Sequence, residues 1–194
     1  KTAHSIMTRK WNFPTLSSEE QRLGAELARR FANCSPISDL LVQRGITTIA
    51  AAEKFFHPSL RDLHDPFLMP DMDKAVERLN RAMGSKEKIL VYGDYDVDGT
   101  TAVALVYRYL QNFYSELEYY IPTRYEEGYG ISRKSIDDVA ERGIKLVIIL
   151  DCGIKAIDEI RYAAERGIDF IICDHHVPDE ELPPAVAILN PKLE

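Results

Sequence analysis

The spacing of apolar positions changes character near residue 85 of this chain. Upstream they recur at helical intervals; downstream, short solid apolar runs alternate with helical stretches. Ser17-x-x-Glu20 is a capping box that predicts a helix through about Ala32. Pro36–Gln43 reads as a short helix closed by Gly45, and Thr48–Phe56 as another closed by His57-Pro58. A connector, His57–Pro70, leads to a helix over Met72–Met83, and Gly84-Ser85 mark the step into a different pattern. From there strands at Ile89–Tyr92, Glu118–Ile121, Leu146–Leu150, Phe170–Cys173 and Val186–Leu189 alternate with helices at Thr100–Phe113, Arg133–Arg142 and Lys155–Arg166. Gly143 and Gly167 act as helix stops. The pattern predicts an α/β fold, a doubly wound parallel sheet over residues 86–194, preceded by an N-terminal helical extension and connector over 1–85.

Three of the predicted strands end in acid. Ile89-Leu90-Val91-Tyr92 is followed by Asp94-Tyr95-Asp96-Val97-Asp98-Gly99. Three carboxylates at i, i+2 and i+4 raise one another's pKa unless something positive sits between them, and the usual remedy is a divalent cation. Lys145–Leu150 stops at Asp151, and Asp169–Cys173 stops at Asp174-His175-His176. The bland reading of the first motif, a solvated turn, sits badly with an entirely apolar strand directly before it.

Several motif classes compete for these residues. An EF-hand loop requires a glutamate at its twelfth position and a helix in front; counted from Asp94, that position is Leu105 and a strand precedes. A haloacid-dehalogenase-like phosphatase opens with D-x-D-G-T, which Asp96–Thr100 matches, but wants Ser or Thr at its second strand end, where Asp151 stands. A phosphoesterase gathering carboxylates and imidazoles around Mn²⁺, Mg²⁺ or Zn²⁺ accommodates all three strand ends.

These motifs resemble the first three signatures of the DHH phosphoesterase superfamily. Within it, V-Y-G-D-Y-D-V-D-G-T-T-A at Val91–Ala102, I-P-T-R-Y-E-E-G-Y-G-I-S at Ile121–Ser132 and D-P-F-L-M-P-D-M at Asp65–Met72 are similar to the RecJ branch of single-strand-specific exonucleases. The resemblance implies a 5′-to-3′ exonuclease on single-stranded DNA in recombination and repair, using two Mn²⁺ or Mg²⁺ ions about 4 Å apart. It implies Asp94, Asp96, Asp98, Asp151 and His175 as metal ligands, with Asp151 bridging. Asp174 would orient the His175 imidazole from behind, and His176 would contact the scissile phosphate. Asp94 stands where related pyrophosphatases carry a histidine. Alternatives within the superfamily are a cyclic-dinucleotide or short-oligonucleotide phosphodiesterase and a non-catalytic partner-binding module. A fourth aspartate motif, a second substrate-binding domain and an oligonucleotide-binding barrel have no match before Glu194. The expectation is therefore the N-terminal part of a longer enzyme, inactive by itself.

Arg124, Gly128, Tyr129 and Gly130, before a helix that Ser132 would cap, are expected to contact substrate. On the bland reading the glycines make a tight turn and Arg124 pairs with Glu126 or Glu127. His57 and His64 read as structural, and His4 as solvated. Cys34, Cys152 and Cys173 lack C-x-x-C spacing and suggest reduced thiols in a cytoplasmic protein, with Cys152 and Cys173 packed at strand ends rather than ligating. No apolar run is long enough for a membrane span. The net charge of −7 would not by itself suggest DNA binding, although metals would neutralise much of the acid at the proposed site. A single-strand-binding protein and a helicase are partners implied by the resemblance alone.

Overall fold

The computed structural model describes residues 12–31, 34–123 and 130–193, which fall into two compact units, one ending at His64 and the other beginning at Asp65. In the first, α1 (Ser18–Arg30), α2 (Ser35–Gln43) and α3 (Ile49–Phe56) bury Leu27, Leu41, Val42 and Ala52 between them. Both halves of the Ser17–Glu20 capping box are made, and Gly45 leaves α2 with φ +76°. The connector is less irregular than expected, with short 3₁₀ turns at Leu60–Asp62 and Pro66–Leu68 capped by Ser59 and Asp65.

The second unit holds α4 (Met72–Gly84), β1 (Lys88–Gly93), α5 (Val97–Leu110), β2 (Leu117–Tyr120), α6 (Arg133–Glu141), β3 (Ile144–Leu150), α7 (Ile157–Ala164), β4 (Asp169–Cys173) and β5 (Ala187–Leu189). The strands form one all-parallel sheet in the order β2-β1-β3-β4-β5. Their sequences run almost continuously apolar because both faces are covered. Leu90, Tyr92, Val147, Ile149, Phe170 and Ile172 face one core with Ile136 and Val139 of α6 and Ile160 and Ala163 of α7. Ile89, Val91, Leu146, Ile148, Leu150 and Ile171 face the other with Ala75 and Ala82 of α4 and Val103 and Leu110 of α5. The sheet is doubly wound, as its period-2 pattern requires. Each Ile or Leu so buried contributes roughly 1.5–3 kcal/mol.

The expected dividing line at 85/86 follows the change of pattern, whereas the compact unit carrying the sheet also takes in α4. Its tie is specific: the buried Arg78 bonds Asp169 at the start of β4 and Glu87 before β1. Among the described residues no helix is long and apolar enough to cross a membrane.

Candidate metal centre

From β1 the chain passes through α5 to β2 on one side and then through α6 to β3 on the other, so the connections diverge at the carboxyl ends of β1 and β3. In open α/β sheets that crevice is where ligands bind. Asp94 and Asp151 stand directly at these two ends, and Asp174 at the end of β4 beside them.

The three aspartates of the first motif do not share one face. Asp94 is buried, and its Oδ1 has no hydrogen-bond partner among the described residues. Asp96 is the N-cap of α5 and accepts from the Gly99 N–H at 3.0 Å. Asp98 already lies in the first helical turn, because the helix begins at Val97 rather than at the expected Thr100. Gly99 permits this early start: a Cβ there would overlap the Asp94 main chain, so no larger residue could bring α5 so close to the end of β1.

Asp151 is held in the left-handed region at φ +61°, an uncommon conformation that Asp tolerates better than most residues. Its N–H donates to the Cys173 carbonyl, and its side chain is almost fully buried. The carboxyls of Asp96 and Asp151 are within hydrogen-bonding reach of each other. Burial, reinforced by the Asp96 charge, pushes the Asp151 carboxyl above its ordinary value. The Gly99 N–H holds that of Asp96 below its own. Ionisation is therefore disfavoured at Asp151 and favoured at Asp96.

His175 Nε2 lies 3.0 Å from Asp151 Oδ1, and His176 Nδ1 lies 2.7 Å from Asp174 Oδ1. Asp174 thus holds the second imidazole, not the first as expected. Its Oδ1 also accepts the N–H groups of His175 (2.7 Å) and His176 (3.0 Å), a turn that brings the following ring, not the preceding one, back to the carboxylate. Oδ2 takes the Ile154 N–H at 3.1 Å. Burial pushes the Asp174 carboxyl up, but these bonds outweigh it and leave it below its ordinary value. Asp151, His175 and His176 each offer a ligand atom within 4.8 Å of the other two.

This donor set fits a divalent cation. It is carboxylate and imidazole with no Lys or Arg among the described residues paired to it, and Asp94, at the neighbouring strand end, has a buried carboxylate oxygen with nothing to bond among the described residues. Cys152 is buried among the four acids; burial first, then Asp94, pushes its thiol well above the ordinary range. Cys173 is only partly exposed, and desolvation first, then Asp174, pushes its thiol up to about 12.

Arg124, Gly128 and Tyr129 lie outside the described residues. Gly130 has φ +78° and accepts a hydrogen bond from the Tyr92 hydroxyl at 2.8 Å, and Ser132 caps α6 as expected. Sequence reasoning missed Asn190. Its side chain is completely buried and bonds the His176 carbonyl, and the only local signal was the turn-forming Asn190-Pro191 pair.

Residues 88–194 match the family model described as the DHH family, N-terminal domain. The single-stranded-DNA-specific exonuclease RecJ of Bacillus subtilis is 42% identical over 156 residues, which cover 80% of this chain and 20% of that protein. RecJ of Dickeya dadantii is 37% identical over 155 residues, covering 79% of this chain and 26% of that one. The crystal structure of exonuclease RecJ bound to manganese superposes with a TM-score of 0.62 at 32% identity, covering 68% of this chain and 34% of the other. RecJ from Thermus thermophilus in complex with Mn²⁺ shares the fold, with a TM-score of 0.65 at 24% identity and 88% and 23% coverage. The chain spans about a fifth to a quarter of the length of the curated relatives it matches.

Proposed function

This chain belongs to the DHH family, and from that premise we propose that it supplies the metal centre of a phosphodiester hydrolase, a 5′-to-3′ exonuclease on single-stranded DNA in recombination and repair. The substrate is taken from the RecJ relatives and the activity is assigned to a protein of their length. The observation that carries the proposal is the cluster of carboxylates and imidazoles at the ends of β1, β3 and β4, with the buried Asp94 Oδ1 unbonded.

Asp94, Asp96, Asp98, Asp151 and His175 would hold Mn²⁺ or Mg²⁺, with Asp151 as the shared ligand between Asp96 and His175. When bound, the ions would supply Lewis acidity, making water a better nucleophile and offsetting phosphate charge. The Gly99 N–H keeps Asp96 ionised and fixed in direction. Asp174 is already bonded on both oxygens and serves to hold the His176 ring and both histidine amides in place. With Nδ1 turned to Asp174, His176 would contact a phosphate oxygen through Nε2, where negative charge grows in the transition state. Arg124, Gly128, Tyr129 and Gly130 are assigned to substrate contact by resemblance. A single-strand-binding protein and a helicase as partners, and a cytoplasmic location, follow from the same reading.

The test is degradation of a 5′-labelled single strand by a protein of the relatives' length carrying this chain, with Mn²⁺ or Mg²⁺ and after chelation. Metal-dependent release of 5′ nucleotides is expected. Equal activity after chelation, or cleavage of cyclic dinucleotides but not of single strands, would overturn it.

A further inference from the structure

The short edge strand β5 adds Ile188 to one core and Ala187 to the other, and beyond its ladder with β4 three further bonds tie this segment to its surroundings. The Ile188 N–H donates to Asp71 Oδ2 at the start of α4, the Leu189 carbonyl accepts the Asp174 N–H at 3.1 Å, and Asn190 Nδ2 donates to the His176 carbonyl at 3.0 Å. Asn190 is fully buried, and its Oδ1 accepts the Lys192 N–H at 2.9 Å. That second bond settles which way the amide points, because the oxygen faces a donor and the nitrogen therefore faces the carbonyl. His176 is thus gripped at three points, its ring and N–H by Asp174 and its carbonyl by Asn190.

From this geometry we infer that Asn190 is a positioning residue for His176, the latch through which β5 sets where that imidazole stands at the metal centre. The inference rests on the role proposed above for His176. An aspartate cannot replace this asparagine, because it would set an acceptor oxygen against the His176 carbonyl. An alanine leaves that carbonyl and the Lys192 N–H unbonded in a buried place. Neither change touches a proposed ligand.

Two measurements test it on Asn190→Asp and Asn190→Ala, with Asn190→Ser as a milder variant should either fail to fold. In the metal-free 194-residue chain, amide exchange at His175 and His176 should speed up by about tenfold or more, and the ring carbon resonances of His176 should shift. The amides of Val91 and Ile148 in the central strands should keep wild-type exchange. In a protein of the relatives' length, kcat should fall by roughly 10–100-fold while KM stays within about twofold. Unchanged exchange and ring resonances at His176 would overturn the inference, as would uniform acceleration across β1 and β3, which would mark Asn190 as a general stability residue. A rise in KM with unchanged kcat would also overturn it. Absence of any metal-dependent hydrolysis in the unmutated protein would sink the functional reading instead, and the exchange and resonance data would still decide whether Asn190 holds His176.

Discussion

At the amino ends of β1, β3 and β4, the buried Arg78 guanidinium bonds Asp169 through Nε at 2.5 Å and Glu87 through Nη2 at 2.6 Å. At the carboxyl ends of the same strands, Asp94, Asp151 and Asp174 are buried, and no Lys or Arg among the described residues pairs with any of them. Among the described residues each end leaves one buried polar atom without a hydrogen-bond partner, a donor (Arg78 Nη1) at the first and an acceptor (Asp94 Oδ1) at the second. With Arg81 as a second cation 3.8 Å from Asp169, the amino-end cluster balances its charge from within, and Arg78 fastens α4 to the sheet. The carboxyl-end cluster carries an excess of negative charge that no Lys or Arg among the described residues offsets. Buried charge by itself therefore does not mark a functional site. Buried charge that lacks its counter-charge does, because desolvation makes it costly unless something from outside supplies the opposite sign.

The sharpest way to break this contrast is to remove one charge at each end. Asp151→Ala should lower metal-dependent hydrolysis by roughly 10³-fold or more in a protein of the relatives' length. The metal-free chain should stay folded with little change in thermal stability, since relief of repulsion with Asp96 offsets the cost of Ala at φ +61°. Near-normal turnover, or unfolding without metal, would remove the distinction between the two ends.

Arg78→Ala should do the reverse. Loss of the central partner of a buried ion-paired group should destabilise the chain by about 3 kcal/mol in denaturant titration, with turnover per folded molecule unchanged. A variant as stable as the parent would show that the amino-end cluster does not hold α4.

Metal sharpens the comparison further. At about a hundredfold excess over Kd, Mn²⁺ should stabilise the parent chain by about 2.7 kcal/mol in thermal melts. The same increment is expected in Arg78→Ala and none in Asp151→Ala. Equal increments in all three would place the cation elsewhere.

The smallest expected effect concerns pH. Asp174 has its folded-state pKa lowered, so its contribution is present above the ordinary carboxylate value and is lost as pH falls through the lowered one. Asp151 has its pKa raised, so its contribution is present below the ordinary value and disappears as pH rises through the raised one. In metal-free acid titrations followed by circular dichroism, Asp174→Asn should flatten the acid limb, whereas Asp151→Asn should gain stability relative to the parent towards neutral pH. The opposite assignment of the two limbs would contradict the hydrogen bonding seen at Asp174.

The amino-acid sequence by itself determined the elements and their two-sided burial. Runs such as Leu146–Leu150, short and rich in β-branched residues, read as strands covered on both faces, and the alternation of Leu90 and Tyr92 with Ile89 and Val91 divides the two cores. It also placed an acidic group at the carboxyl end of three strands, which parallel alternation brings to one edge. Tertiary structure alone decided which groups meet there. Asp94 turns inward while Asp98 enters a helix, and His175 faces Asp151 twenty-four residues away. Arg78 reaches Asp169 ninety-one residues away, and Asn190 reaches back fourteen to His176. The reason is range. Periodicity and capping act over a few residues and are written locally, whereas these pairings depend on strand order and on how closely α5 and β5 approach the sheet. Those are set by the packing of the whole unit.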